Sequence, residues 1–503
     1  MSERIPLSDL ETYLWNSAVY LRNNIDAGAY KQYIFPLLFL KRICDVYDEE
    51  CLEIVEVYGE DEDALQFEEN HRFQIPKGCH WKDVREVSEN IGQALVDAFH
   101  CIERANSDKL QGIFGDAAWT NKRRLPDELL KNLIEHFSSK TLSIANCPED
   151  ELGQGYEYLI RKFADDSGHT AQEFYTNRTV VHLMTELLKP KSGETIYDPT
   201  CGSAGMLISA IHYLKDNGLE WRNVGLFGQE FNALTASIAR MNLFLHGVKD
   251  FAIIQDDTLK NPGFIENGEL KTFDIVLANP PYSINQWDRE AFANDKYGRN
   301  FLGVPPQGRA DYAFIQHILK SLDKNSGRCA ILLPHGILFR KNELEMRMNL
   351  IKSDLIECVI GLGEGLFYNS PMEACILICR TNKSVDRRGK LLLINAVNDV
   401  KRTKTESYLE EKHIQIIADA FFNFEDKIGL SKVITLKNLE DNNYSLAISL
   451  YVTNNIENIS KKYSQIESMD LMKSINEWLQ ASYEIKETFE ILKSAFENEG
   501  GIT

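Results

Sequence analysis

A chain of 503 residues, 44% apolar and 26% charged, is too long for one ordinary domain and has the balance of a globular protein with a sizeable core. That balance excludes collagen-like, disulfide-scaffold and wholly disordered classes, and no apolar run nears the ~20 residues that span a bilayer; Tyr33–Leu40 is among the longest and contains Pro36. The net charge of −20 repels phosphate backbones, so a nucleic-acid role needs a local basic groove or a more basic partner.

The start, Met-Ser-Glu-Arg-Ile, carries acid and no apolar leader segment, and ten singly scattered cysteines with no Cys-x-x-Cys suit a reducing cytoplasm. Residues 1–150 hold 28 acidic and 16 basic side chains, and the twelve carboxylates between Cys44 and His71 read as a solvated face. This portion predicts a helical accessory domain. Ser8-Asp-Leu-Glu11 has the capping-box pattern, Leu10, Leu14, Ala18 and Leu21 follow at helix spacing, and further helices are expected over Tyr30–Glu56, Val84–Asn106 and Pro126–Ser138.

Residues 151–440 change texture. Strands are predicted at Thr195–Tyr197 (ending at Asp198), Val224–Gly228, Phe251–Ile254, Phe273–Ala278, Cys329–Leu333, Cys358–Gly361 and Cys375–Cys379. Helices are predicted at Met206–Lys215, Ala233–His246 and Tyr312–Leu322. The alternation implies an α/β fold, a doubly wound and mostly parallel sheet, whose ligands sit at the C-terminal strand ends. Asp198, Glu230 and Asn279 fall at such ends. Cys375 and Cys379 share a strand face and read as buried thiols, so no metal site is expected. In residues 441–503 the strands stop, and Met472, Ile475, Leu479, Ile485, Phe489, Leu492 and Phe496 describe an amphipathic helical tail that packs on its own chain or docks a partner.

The loop Asp198-Pro-Thr-Cys-Gly-Ser-Ala-Gly205 lies between a strand and a helix, where Gly202 and Gly205 allow a tight turn and close approach to a ligand. It is neither Gly-x-Gly-x-x-Gly nor a Walker loop, and Asp198 would repel a pyrophosphate and suit a cationic ligand. Glu230 ends the second strand, where an acid can accept both hydroxyls of a ribose. Its interval of 32 residues from Asp198 predicts an extended first helix, continued through Lys215–Arg222. Asp256 and Asp257 close the third strand, where a carboxylate can accept an adenine amino group.

Asn279-Pro280-Pro281-Tyr282 follows the apolar strand and carries the most information. Two prolines stiffen the turn and leave carbonyls facing a substrate. The Asn279 carboxamide oxygen and the Pro280 carbonyl can accept two hydrogen bonds from one planar amino group, and Tyr282 offers a face for a base.

In this order, the loop and the Asn-Pro-Pro-Tyr turn resemble the amino-methylating, S-adenosylmethionine-dependent DNA methyltransferases, and in particular the modification subunits of Type I restriction–modification systems. Gln172-Glu-Phe-Tyr-Thr-Asn-Arg178, Gly308-Arg-Ala-Asp-Tyr-Ala-Phe314, Leu333-Pro-His-Gly-Ile-Leu-Phe339 and the Leu366–Met372 stretch are similar to further segments of that family. The chain departs from it at Gln172, where Gly is usual, and at Asn177, where Pro is usual. The resemblance implies that Glu173, Phe174, Tyr175, Thr176, Asn177 and Arg178 surround the methionine half of S-adenosylmethionine with Ser203, Ala204 and Gly205. It implies that Glu230 holds the ribose, that Asp256 holds the adenine edge, and that Asn279 to Tyr282 hold a flipped target adenine. It also implies a DNA specificity subunit and a restriction subunit as partners, double-stranded DNA reached through the complex, and a cytoplasmic location. A solitary adenine methyltransferase, a protein glutamine-amide methyltransferase and an idle assembly subunit are the competing readings. A solitary enzyme should carry its own basic recognition domain, and a glutamine methyltransferase should lack the long helical flanks.

Overall fold

Short apolar runs that end on a polar residue build the central sheet. The computed structural model describes residues 4–452 apart from 23, 60–63, 66, 167–175, 367–372 and 404–406. The strands are β1 (Thr195–Asp198), β2 (Gly225–Glu230), β3 (Phe251–Gln255), β4 (Ile275–Ala278), β5 (Arg328–Pro334), β6 (Ile356–Leu362), β7 (Ala374–Arg380), β8 (Lys390–Ala396) and β9 (Ser431–Thr435). Among the described residues they form one nine-stranded sheet in the order β9-β8-β6-β7-β5-β4-β1-β2-β3. β7 and β9 run against the other strands, which are mutually parallel.

Side chains alternate across the sheet with a period of two. Ile196, Leu226, Leu277 and Ile360 face the helices Arg178–Leu188, Gly205–Asp216, Ala233–Leu245 and Glu411–Asn423. Tyr197, Val276, Ile331 and Val359 face Asp311–Lys320 and Leu344–Lys352. Helices on both faces explain why β5 and β6 are buried along their whole length. Cys375 and Cys379 are buried in β7, and no cluster of potential metal ligands occurs among the described residues. No described helix is long and apolar enough to cross a membrane.

The helical core of the N-terminal portion extends past residue 150. Leu152, Tyr156, Leu159 and Phe163 of the helix Glu149–Asp166 pack with Leu10, Leu14, Phe35 and Leu38. The helix Ala233–Leu245 lies between the two cores, with Ala236, Ala239 and Leu243 toward the sheet and Ile238, Met241 and Leu245 toward the N-terminal helices. The Ser237 hydroxyl donates to the Gly112 carbonyl at 2.8 Å across this junction.

Three local expectations are corrected. The first helix begins at Leu7, not after a Ser8 cap, because Pro6 (φ −61°) presets the entry and no side chain caps it. The expected helix Val84–Asn106 divides into Trp81–Glu86 and Ile91–Ala105. Asn90 between them has φ +56°, and the Asp127 carboxylate accepts from the N–H groups of Asn90 and Ile91 at 3.1 and 3.0 Å. The helix after β1 stops at Asp216, and turns rather than helix carry the chain from 217 to 224. Gly218 there has φ +65°, which breaks the helix. The tail from 453 to 503 and the stretch 367–372 lie outside the described residues.

Candidate active site

The loop leaving β1 crosses to β2 and is held there by an acid. Gly202 has φ +52° and donates its N–H to Glu230 Oε2 at 3.1 Å. The other oxygen, Glu230 Oε1, accepts from Asn232 N at 2.8 Å. Cys201 N donates to the Gln229 carbonyl at 2.9 Å, so the turn is pinned to the end of β2 by backbone as well as side chain. Ala204 also has positive φ (+64°), and the helix Gly205–Asp216 starts directly after it. A Cβ at Gly205 would lie 1.6 Å from Arg178 Nη1, and Arg178 Nη2 donates to Glu157 Oε1 at 2.7 Å. Glycine at 205 therefore makes room for a guanidinium over the start of the helix.

Asp198 is only 2% exposed and accepts from Thr200 N at 3.0 Å. Burial pushes its carboxyl up to about 8; the Thr200 N–H opposes the rise and the Glu230 charge adds to it. At neutral pH this acid stays mostly protonated until a cation comes beside it. Asp256 Oδ1 accepts from Asp257 N at 2.7 Å and from Asn261 Nδ2 at 3.3 Å, while Asp257 Oδ1 accepts from Leu259 N and Lys260 N.

Asn279 follows β4 directly, one strand away from β1. Its Nδ2 donates to Thr176 Oγ1 at 2.9 Å, and its Oδ1 accepts the Tyr282 hydroxyl at 2.5 Å. The carboxamide is thereby oriented from both ends. Pro280 is buried and Pro281 exposed, so the turn has one fixed and one open side. Low-dielectric surroundings hold the Tyr282 hydroxyl in its protonated, donating form. Asn177, where the family usually has Pro, adopts φ −54°, a value proline also takes. Its side chain accepts from Thr179 N and donates to the Ser407 carbonyl at 2.8 Å, so the substitution keeps the turn and adds a cap.

The structure thus gathers Thr176, Arg178, Asp198, Gly202, Ser203, Ala204, Gly205, Glu230 and Asn279 to Tyr282 around the C-terminal ends of β1, β2 and β4. Glu173, Phe174 and Tyr175 lie outside the described residues. Phe231, absent from the sequence-based set, stands 71% exposed beside Glu230, an apolar face at the strand end. Its signal was available as a large aromatic directly after the strand-end acid. A cation partner at Asp198, hydroxyl acceptors at Glu230, a glycine cradle at 202 and 205 and an aromatic face at 231 fit a ligand with a charged centre, a ribose and a base.

Residues 148–459 match the N-6 DNA methylase family, and residues 10–137 match the HsdM N-terminal domain. The chain is 32% identical to the Type I restriction enzyme MjaVIII methylase subunit of Methanocaldococcus jannaschii, over 99% of this chain and 86% of that one. It is 29% identical to the MjaIX methylase subunit of the same organism, over 96% and 91%. A crystal structure of a type I restriction-modification methyltransferase subunit from Streptococcus thermophilus superposes with a TM-score of 0.77 at 28% identity, covering 89% of this chain and all of that one. The matched family, the relatives and the geometry agree: the chain belongs to the N-6 DNA methylases, as an adenine-specific, S-adenosylmethionine-dependent DNA methyltransferase of the Type I modification-subunit kind.

Proposed function

We propose that Asn279, Pro280, Pro281 and Tyr282 receive the target adenine, and that the loop Asp198 to Gly205, with Arg178, Glu230 and Asp256, holds S-adenosylmethionine. The observation that carries this reading is the double anchoring of Asn279. Its NH2 group is given to Thr176, so its oxygen faces the turn, and Tyr282 uses one of that oxygen's two lone pairs. The second lone pair is free to accept the adenine amino group, and the Pro280 carbonyl is the second acceptor.

When bound, S-adenosylmethionine supplies a methyl group already activated by its sulfonium. The chain's residues then align the two reactants. Arg178, propped by Glu157, would pair with the methionine carboxylate; Asp198 would lie near the cationic centre; Glu230, at the end of β2, would meet the ribose hydroxyls; Phe231 and Asp256 would meet the adenine ring and its edge. As the adenine nitrogen becomes positive, the two carbonyl-type oxygens at 279 and 280 stabilise it, so no strong base is required.

The partners belong to the same reading. Residues 1–150 act as an accessory domain, 151–440 as the catalytic domain and 441–503 as a docking tail for a specificity subunit, with a restriction subunit joining the complex. The specificity subunit supplies the site recognition and positive surface that offsets a chain of net −20. The ten free cysteines support a cytoplasmic location. Deleting residues 470–503 tests the assembly. The truncated chain should bind S-adenosylmethionine normally, yet neither assemble by light scattering nor methylate DNA with the specificity subunit. A truncated chain that still assembles and methylates its site removes the tail from docking.

A further inference from the structure

Behind the Asn-Pro-Pro-Tyr turn lies a polar column, buried at Asp311 and Glu343 and partly exposed at Ser283 and Arg340, that the methyl transfer does not use. Ser283, the residue after Tyr282, has φ +50°, a left-handed conformation that residues with a Cβ rarely adopt. Its N–H donates to Asp311 Oδ1 at 2.9 Å and its hydroxyl to Asp311 Oδ2 at 3.2 Å. Both oxygens of one carboxylate therefore grip the residue that ends the turn.

Asp311 is 1% exposed and opens the helix Asp311–Lys320, whose N-terminal N–H groups favour a negative charge. Arg340 Nη1 donates to Asp311 Oδ2 at 3.0 Å and stands 3.5 Å from Glu343 Oε1. A Cβ at Gly336 would come within 2.5 Å of Arg340 Nε, so glycine there leaves the guanidinium its place. Glu343 is also 1% exposed, and its oxygens accept no hydrogen bond. Burying charges this way is expensive unless they are paired. Hydrogen bonds run from Ser283 through Asp311 to Arg340, and Glu343 faces the guanidinium as a charge partner at 3.5 Å.

We infer that Asp311 is a positioning residue for methyl transfer, holding Ser283 in its left-handed conformation so that the turn presents Asn279 Oδ1 and the Pro280 carbonyl to the adenine amino group. The inference rests on the proposed role of Asn279 to Tyr282. The turn is anchored at its entry by Thr176, through the Asn279 carboxamide, and at its exit by Asp311, through Ser283. Without the exit anchor, Ser283 relaxes to negative φ. That rotates the preceding peptide and carries the Tyr282 hydroxyl away from Asn279. A displacement near 1 Å at the reacting groups lowers the rate by about 10²-fold. The cofactor loop hangs from β1 and β2 and does not share these contacts.

The test is single-turnover methylation by the full complex with its specificity subunit, paired with S-adenosylmethionine titration. Asp311→Ala should slow the chemical step by about 10²-fold and leave cofactor affinity within about twofold. Adding Ser283→Gly, which accepts positive φ without a clamp, should recover at least about tenfold of that loss; a merely structural role for Asp311 would show no such rescue. If Asp311→Ala fails to fold, Asp311→Ser replaces it, a residue that suits a helix start but is too short to reach both Ser283 groups. A slower step at unchanged cofactor affinity supports the inference, and a wild-type rate overturns it. An unaffected rate in folded Asp311→Ala, or no rescue by Ser283→Gly, also overturns it. Asn279→Ala runs alongside. If that variant is fully active, the reading of the turn itself has failed, whereas an inactive Asn279→Ala beside a fully active Asp311→Ala rejects only the clamp.

Discussion

Glu230→Ala removes a carboxylate that accepts two backbone N–H groups, at 3.1 Å from Gly202 and 2.8 Å from Asn232. The same carboxylate is the group proposed to accept the ribose hydroxyls. Hydrogen bonds to a charged group contribute about 1.5–3 kcal/mol each. Glu230 is only partly buried, so water replaces some of the loss and the lower end applies. Two ribose contacts then amount to about 3 kcal/mol, or about 10²-fold in affinity. Glu230→Gln keeps one acceptor and should lose about tenfold. Asp198 provides a second readout. Its carboxyl sits at about 8 chiefly through burial, with the Glu230 charge adding to the shift. A cationic ligand favours the ionised form, so wild-type affinity should rise with pH toward about 8 and level off above it. Either substitution at Glu230 should move that rise to lower pH. Calorimetric titration with S-adenosylmethionine from about pH 6.5 to about pH 9 measures both effects. An affinity for Glu230→Ala within about twofold of wild type, with the same pH profile, would refute the ribose assignment.

Asn279→Ala removes one of the two acceptors for the amino group and should lower turnover by about 10²–10³ while cofactor affinity stays constant, read by tritiated-methyl transfer and calorimetry. Gly205→Ala places a Cβ against Arg178 and should pull the guanidinium from Glu157, weakening S-adenosylmethionine binding by about tenfold with the circular-dichroism spectrum unchanged. His246 is 1% exposed, and burial lowers its pKa to about 4, below the ~6.5 of an unfolded chain. The unfolded state takes up the proton first. The neutral ring's contribution is therefore complete above about pH 6.5 and is lost as pH falls toward about 4, by up to about 3 kcal/mol. Asp198 slopes the opposite way between about pH 4 and about 8, so denaturant melts of wild type and His246→Gln must be compared at each pH. A parallel pair of curves would remove His246 from the acid lability.

How much of this was legible beforehand depended on whether the determining contacts are local. β1 and β4 could be read from short apolar runs that stop at Asp198 and Asn279, because the alternation of strand and helix fixes where such stops fall on a parallel sheet. β8 escaped because Leu391–Ile394 is a brief apolar run that fits a helix as well as a strand. β9 escaped because it is an edge strand carrying Lys432. The attachment of the helix Glu149–Asp166 to the N-terminal core is set by contacts with Leu10 and Leu14, far away in sequence. In the site, Asp198, Gly202, Glu230 and Asn279 announce themselves as strand-end or turn residues. The Thr176 bond to Asn279 spans 103 positions and the Ser283 bond to Asp311 spans 28, and no local pattern encodes either.

The central claim is that this chain methylates the amino nitrogen of adenine in DNA through the Asn279 turn. The most direct measurement incubates the chain and its specificity subunit with S-adenosylmethionine and duplex DNA, digests the product to nucleosides, and identifies the methylated base by mass spectrometry. The account predicts N6-methyladenine from the wild-type complex, at a defined site, and a loss of about 10²–10³ in its yield per unit time with Asn279→Ala. Methyl groups found on cytosine or on protein, or N6-methyladenine formed as fast by the Asn279→Ala complex, would contradict it.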